Sequence, residues 1–136
     1  MNGKICFIDA DIFINAFVKL DEKKSKASRL LLDNLEQGKV RLLADYLVLI
    51  ETYYVIEKYK GWQKASDVLK ELLTFTCLEL AAVDGVLFFE ALKRKGKYKL
   101  KMNDLVHYTA ALLHNAEGMY SYDRDFNGLE IKRIEP

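Results

Sequence analysis

Five short apolar runs, separated by longer stretches of helical spacing, constrain this chain more than any other feature. The runs are Ile5–Ile8, Val40–Ala44, Cys77–Ala82, Met119–Ser121 and Ile131–Ile134. Each has the length of a strand, and some lack the polar alternation of a sheet with one wet face, as strands covered on both faces do. Between them, Ala27, Leu30, Leu31 and Leu35 recur at helical spacing within Ser25–Gln37. Trp62, Ala65, Val68, Leu69, Leu72 and Leu73 mark one face of a second helix, Asp84–Lys95 and Asn103–Asn115 supply two more, and another begins near Ile12. Strands alternating with helices imply right-handed βα units. The expected fold is therefore α/β, with three layers around a mostly parallel central sheet of four to five strands. Within Ala44–Lys60, the segments Leu47–Ile50 and Tyr53–Ile56 are apolar on every side, which predicts a helix buried all round. Gly38, Gly96 and Gly118 sit just past helical stretches, where left-handed C-terminal caps are expected. With one proline, seven glycines and no internal repeat, the 136 residues are expected to form one domain spanning 1–136.

Several function classes are poorly supported. The 21 basic and 20 acidic residues give a formal charge of +1, which excludes an evidently polycationic nucleic-acid binder but not a local basic patch. Cys6 and Cys77 lie in apolar runs and read as reduced core residues, neither a disulfide nor a zinc site. The opening run meets Asp9 after four apolar residues, so it does not read as a signal peptide, and no run is long enough to span a bilayer. The expected location is cytoplasmic. Phosphate-loop, dinucleotide-turn, HExxH, CxxC and GxSxG motifs are all missing from the sequence. His107 and His114 lie seven apart on one helix, and a structural role suits them better than a catalytic one. Any chemistry rests on carboxylates.

Four carboxylates stand in awkward places. Asp9 directly follows the strand Ile5–Ile8, at the end where α/β sheets form ligand crevices. It could instead cap the following helix, a role that Asp11 fits better. Glu51 lies in LVLIETYYVI with no lysine or arginine within a turn, and a lone buried carboxylate is costly unless a cation or hydrogen bonds compensate it. Asp104 falls in the first turn of a helix, where the dipole alone favours an acid. Asp123 follows the short strand Met119–Ser121, and Asp125 shares with it the ambiguity of a turn aspartate. Converging acids repel one another by about 4 kcal/mol per pair at 4 Å and an effective dielectric of 20. Protonation or a divalent cation must relieve such a cluster. Oxygen-rich sites suit Mg²⁺ and Mn²⁺, the equipment of metal-assisted phosphodiester hydrolysis.

The segments FIDADIFINAF, the helical Glu51, NDLVHYTAALLHNA and GMYSYDRDFNGLEIKRIEP, in this order and spacing, resemble the PIN-domain family of ribonucleases. The resemblance runs from about Lys4 to Pro136, and its closing S-x-D-x-D-F block is the most specific part. It implies that Asp9, Glu51, Asp104 and Asp123 form an acidic quartet that binds Mg²⁺ or Mn²⁺ and activates water to cut RNA, leaving a 5′-phosphate and a 3′-hydroxyl. Asp11 stands where members often carry Asn, Ser or Thr, and either adds a ligand or caps the helix. Ser121 stands where Thr is common and can orient Asp123 or a metal-bound water. Many small members resembling this chain are toxins of VapBC-type toxin–antitoxin pairs. The implied partners are therefore an RNA substrate, an antitoxin protein and a second copy of the chain, with no membrane.

Just before Asp104, the stretch from Lys93 to Lys101 carries six basic residues, Lys93, Arg94, Lys95, Lys97, Lys99 and Lys101, and no acid. They could track RNA phosphates, with Tyr98 stacking on a base, or simply form a solvated helix end. A smaller cluster of Lys19, Lys23, Lys24 and Lys26 is less specific still. Two other functions are weighed against the ribonuclease. One is a PIN-like module that binds RNA or protein without catalysis, which has no reason to bear the repulsion among four acids. The other is a phosphatase of the haloacid-dehalogenase type, suggested by Asp9-Ala-Asp11. For that fold the chain is short, Phe13 replaces the usual Thr or Val, and the later acidic pair is missing.

Overall fold

A computed structural model describes residues 4–136. Its described residues form a parallel sheet of five strands. They are β1 (Ile5–Ile8), β2 (Arg41–Asp45), β3 (Leu78–Ala81), β4 (Gly118–Tyr120) and β5 (Lys132–Ile134). Six helices connect them: α1 (Ala10–Phe17), α2 (Glu22–Glu36), α3 (Tyr46–Lys60), α4 (Trp62–Leu72), α5 (Gly85–Arg94) and α6 (Met102–Leu113), with a 3₁₀ turn at Arg124–Phe126. The architecture is the expected layered α/β fold. The spatial order is β3-β2-β1-β4-β5, and every neighbouring pair is parallel. From the central β1 the chain first winds toward β3 and later crosses back to β4. The direction therefore reverses between β1 and β4, and it is at the carboxyl ends of strands at such a point that α/β sheets place their ligand sites.

The core follows from the apolar runs. Phe7, Ile8, Leu42, Leu43, Ala44 and Met119 of the sheet are buried, together with Ile12, Phe13, Ile56, Leu72, Leu105 and Phe126 of the covering elements. Tyr108 is fully buried on α6, and its hydroxyl accepts the backbone N–H of Ile131 at 3.0 Å, tying the approach to β5 onto the helix layer.

Several local expectations need correction. The helix after β1 begins at Ala10 rather than near Ile12, and Asp9, not Asp11, caps it by accepting the Ala10 N–H at 2.8 Å. The next helix starts at Glu22, earlier than Ser25, because Asp21 accepts the Lys24 N–H and completes its N-cap. Helix α3 is not buried all round: Val48, Leu49, Thr52 and Ile56 face inward, whereas Tyr46, Ile50 and Tyr54 are exposed. Of the three expected cap glycines only Gly38 is left-handed, at φ 75°. Lys95, not Gly96, caps α5, and beyond α6 the left-handed position falls on Asn115, at φ 56°. Gly118 instead opens β4 opposite Cys6. There an added Cβ would lie 2.5 Å from Ile134 Cδ1 and 3.2 Å from Cys6 Sγ. That glycine serves close packing, not chain reversal.

Gly118→Ala is therefore expected to destabilise the protein by about 1 kcal/mol, the low end of overpacking because the nearest atom is the tip of an isoleucine. Adding Ile134→Val, which deletes that tip, should recover part of the loss in urea unfolding.

Candidate metal centre

Each acid reaches the crevice for a local reason. Asp9 and Asp45 terminate β1 and β2, and each caps the helix that follows, Asp45 by accepting the Val48 N–H at 2.9 Å. Glu51 comes from the second turn of α3. Helix α6 leads into β4 and so starts at the carboxyl end of the sheet, which puts Asp104 there in its first turn. Asp123 follows β4 and caps the 3₁₀ turn by accepting the Asp125 N–H at 2.9 Å.

These side chains form two adjoining groups. The ligating atoms of Asp9, Glu51 and His107 lie within 4.8 Å of one another, and so do those of Asp104, Asp123 and Asp125. Ser121 joins elements across the site. Its hydroxyl donates to Asp9 Oδ2 at 2.7 Å, lies 3.3 Å from Asp11 Oδ2, and accepts the Asp123 N–H at 3.0 Å. The backbone N–H of Tyr122 donates to Asp11 at 3.1 Å, so the β4 exit loop is fastened to the start of α1. Of the four acids singled out in the sequence, Asp9 and Glu51 thus fall in one group and Asp104 and Asp123 in the adjoining one, with Asp11, Ser121 and Asp125 around them.

Sequence reasoning passed over Asn103 and Asp45, and gave His107 a structural role without naming its partners. His107 is fully buried, with Nδ1 2.7 Å from Asp45 Oδ2 and Nε2 2.7 Å from Glu51 Oε1. Asn103 donates its side-chain amide to Glu51 Oε2 at 3.0 Å. The cation that the sequence around Glu51 lacked is this imidazole, supplied by another helix. A signal existed: Asn103, Asp104 and His107 lie at helical spacing on one face, and Asp45 follows a strand just as Asp9 does.

The electrostatics reflect crowding. Burial, reinforced by the charge of Asp9, pushes Asp11 up to about 7. Burial and the charges of Asp9 and Asp123 push Asp104 up to about 6. Burial also raises Asp9, against the neighbouring His107 and the Ser121 hydroxyl. Burial would lower His107, but hydrogen bonds to Asp45 and Glu51 outweigh it and hold it at about 10. Glu51 goes the other way, its burial overcome by the hydrogen bond and charge of His107.

The basic stretch before Asp104 is largely occupied. Lys93 and Arg94 pair with Glu90 at 3.3 and 2.9 Å, Lys95 donates to the Leu100 carbonyl, and Lys97 lies 3.7 Å from Glu130. Lys99 and Lys101 are exposed. Tyr98 is no base platform: it is buried against Tyr108 and donates its hydroxyl to Glu130 at 2.6 Å.

A PIN-domain family model matches residues 6–132, nearly the whole chain and every acid described above. The chain belongs to the PIN-domain family. Among curated proteins, no sequence matches it. Solved structures similar to this PIN domain include VapC20 of Mycobacterium tuberculosis, a sarcin–ricin loop cleaving toxin. It is 18% identical with a TM-score of 0.78, over 98% of this chain and 100% of that one. A toxin–antitoxin complex from Klebsiella pneumoniae matches at 18% identity and TM-score 0.69, covering 96% of this chain and 97% of its counterpart. VapBC2 of Rickettsia felis, bound to a promoter DNA fragment, matches at the same identity and TM-score over 96% and 98% of the two chains. At this identity the likeness establishes a shared fold.

PIN nucleases are hydrolases that generally use a divalent metal. The residues present suit such an ion. All the donors beside Asp104 are carboxylate oxygens, the hard ligands that Mg²⁺ and Mn²⁺ prefer. Asp11 Oδ1 is moreover buried without a hydrogen-bond partner among the described residues. Among the described residues, no helix is long and apolar enough to cross a membrane.

A pH dependence follows for the metal-free protein. Asp11 and Asp104 bind protons more tightly folded than unfolded, so stability falls as pH rises from the ordinary carboxylate value near 4 through about 7. His107 is raised too, and as a base its contribution is complete below about 6.5 and lost as pH climbs through about 10. Thermal unfolding in EDTA should therefore show a melting temperature declining through both windows. At neutral pH, Mn²⁺ at about a hundredfold excess over its dissociation constant should restore about 2.7 kcal/mol. A melting temperature indifferent to Mn²⁺ would contradict the site.

Proposed function

We propose that this chain is a metal-dependent endoribonuclease and the toxin of a VapBC-type toxin–antitoxin pair. The observation that carries this reading is the meeting of Asp9, Glu51, Asp104 and Asp123 at the reversal point of a PIN-domain sheet, with a buried imidazole set beneath them. That the similar structures include toxin–antitoxin assemblies supports the biological role. In this proposal Asp9, Asp104 and Asp123 hold Mg²⁺ or Mn²⁺, Glu51 stands beside the ion, Ser121 fixes Asp9 and the Asp123 backbone, and Asp11 and Asp125 border the site. A cation bound there would polarise the scissile phosphate and lower the pKa of water. The protein's own part is to gather the acids before the ion arrives, on strand ends, helix caps and helical turns fixed by backbone hydrogen bonds.

RNA would approach past the start of α6, where Lys99 and Lys101 have no partner among the described residues, whereas Lys93, Arg94, Lys95 and Lys97 are held by neighbours and contribute less. An antitoxin and a second copy of the chain are the proposed protein partners, and the exposed apolar side chains Val86, Phe88, Phe89 and Leu92 of α5 offer them a surface. The cytoplasm is the proposed location, and one domain over 1–136 the proposed organisation.

Asp104→Asn is expected to reduce RNA cleavage with Mn²⁺ by at least about 10²-fold, the scale of losing one electrostatic contributor to a transition state. Circular dichroism should show the fold retained. Full activity in that variant would defeat the assignment. In that inactive background, Lys99→Ala and Lys101→Ala should each weaken binding of a single-stranded oligonucleotide and lower the salt slope by about 0.7 per phosphate contact removed.

A further inference from the structure

Glu51 differs from its acidic neighbours in how firmly it is held. One carboxylate oxygen faces His107 Nε2 at 2.7 Å and the other accepts the Asn103 amide at 3.0 Å. The imidazole is in turn fixed from behind, with Nδ1 2.7 Å from Asp45 Oδ2, and Asp45 is anchored through its other oxygen to the Val48 N–H. The His107 and Asp45 side chains are fully buried. Carboxylate, imidazole and carboxylate thus form one rigid line from the end of β2, through α6, to α3. Asp104, by contrast, receives no hydrogen bond on its carboxylate among the described residues, and Asp123 receives one, from the Asp125 N–H.

Two consequences follow. His107 lies within ligating distance of Asp9 and Glu51, yet both its ring nitrogens are spent on carboxylates, so no lone pair is left for a metal. A carboxylate with a donor on each oxygen is also a poor choice for swinging onto an ion, but a good one for presenting a fixed acceptor to a water molecule.

We infer that His107 is a positioning residue: with Asn103 and Asp45 it clamps Glu51 in one orientation outside the metal's coordination, so that Glu51 orients the attacking water while Asp9, Asp104 and Asp123 hold the ion. This rests on the ribonuclease reading above and divides its acids into two kinds.

The test compares Mn²⁺ affinity by calorimetry with the single-turnover rate of RNA cleavage. His107→Gln keeps a donor toward Glu51 but loses Asp45, and Asn103→Ala alters only an exposed side chain and is safe for the fold. Both variants should bind Mn²⁺ within about twofold of wild type and cleave roughly 10–100-fold more slowly, the usual effect of losing a supporting hydrogen bond. His107→Ala should cleave more slowly than His107→Gln, and Asp104→Asn should lose Mn²⁺ binding itself. A fall in Mn²⁺ affinity in His107→Gln as large as in Asp104→Asn would overturn the inference by making Glu51 a ligand. Unchanged cleavage in both clamp variants would overturn it equally. A separate reading comes from nitrogen NMR of the histidine rings. Glu51→Gln should move the His107 Nε2 resonance, and Mg²⁺ should leave Nδ1 in place. A wild-type protein that binds Mn²⁺ but cuts no RNA would defeat the ribonuclease reading, and the clamp would then be judged by the ring resonances and metal affinities. Resonances indifferent to Glu51→Gln would reject it.

Discussion

Like charges collected in a poorly solvated crevice repel, and the architecture here is arranged around that repulsion. Asp9, Asp11 and Asp104 all hold their protons more tightly than free carboxylates do, first because they are buried and then because they face one another. The protein offsets the cost in two ways. Backbone N–H groups at the start of α1 and in the loop after β4, together with the Ser121 hydroxyl, satisfy individual oxygens. A single buried imidazole between Asp45 and Glu51 supplies positive charge beneath the cluster. What stays uncompensated is the part nearest Asp104 and the bare Asp11 oxygen, the deficit that a divalent cation fits.

Sheet order makes this economical. Parallel strands deliver their carboxyl ends to one edge, and the reversal between β1 and β4 keeps helices from covering it. Because α6 runs toward β4, its first turn arrives at the same edge. Three acids are thus brought together by topology rather than by long side chains, so their separation is set by backbone hydrogen bonds such as that from the Asp9 N–H to the Tyr120 carbonyl. Glu51 alone reaches in from a helix interior, and it alone needs a dedicated partner.

Much of this was legible in the sequence. Unbroken apolar runs such as Ile5–Ile8 carry the signal of strands covered on both faces, and the helical spacing between them carries the parallel crossovers. The awkward burial of Glu51 was visible as a charge without a neighbour. Its partner was not, because His107 lies 56 residues away and periodicity within one segment says nothing of contacts between segments. Local rules also failed where two residues compete for one role. Asp11 looks like the better cap, but β1 ends at Ile8, and the pairing of Asp9 with Tyr120 leaves Asp9 as the first residue able to cap. Gly118 failed similarly. A glycine past a helix suggests a chain reversal, whereas its reason here is the approach of Ile134 and Cys6 from neighbouring strands. Helix α3 read as wholly buried because exposed tyrosines and isoleucines look the same in sequence as packed ones.

The double duty of Asp9, helix cap and member of the acidic group, bears on how this architecture can drift. A descendant that abandoned chemistry would still lose a cap, about 1 kcal/mol, on replacing that aspartate by alanine, so selection for folding alone would tend to retain it. Position 104 has weaker support: the dipole of α6 favours an acid in its first turn by about 0.3–1 kcal/mol, but burial and the charges of Asp9 and Asp123 work against it, and no hydrogen bond from another residue holds it among the described residues. In a lineage of such proteins, then, an aspartate after the first strand testifies to helix geometry as well as to chemistry, and the acid at the start of α6, with less to hold it, is the more sensitive record of a living active site.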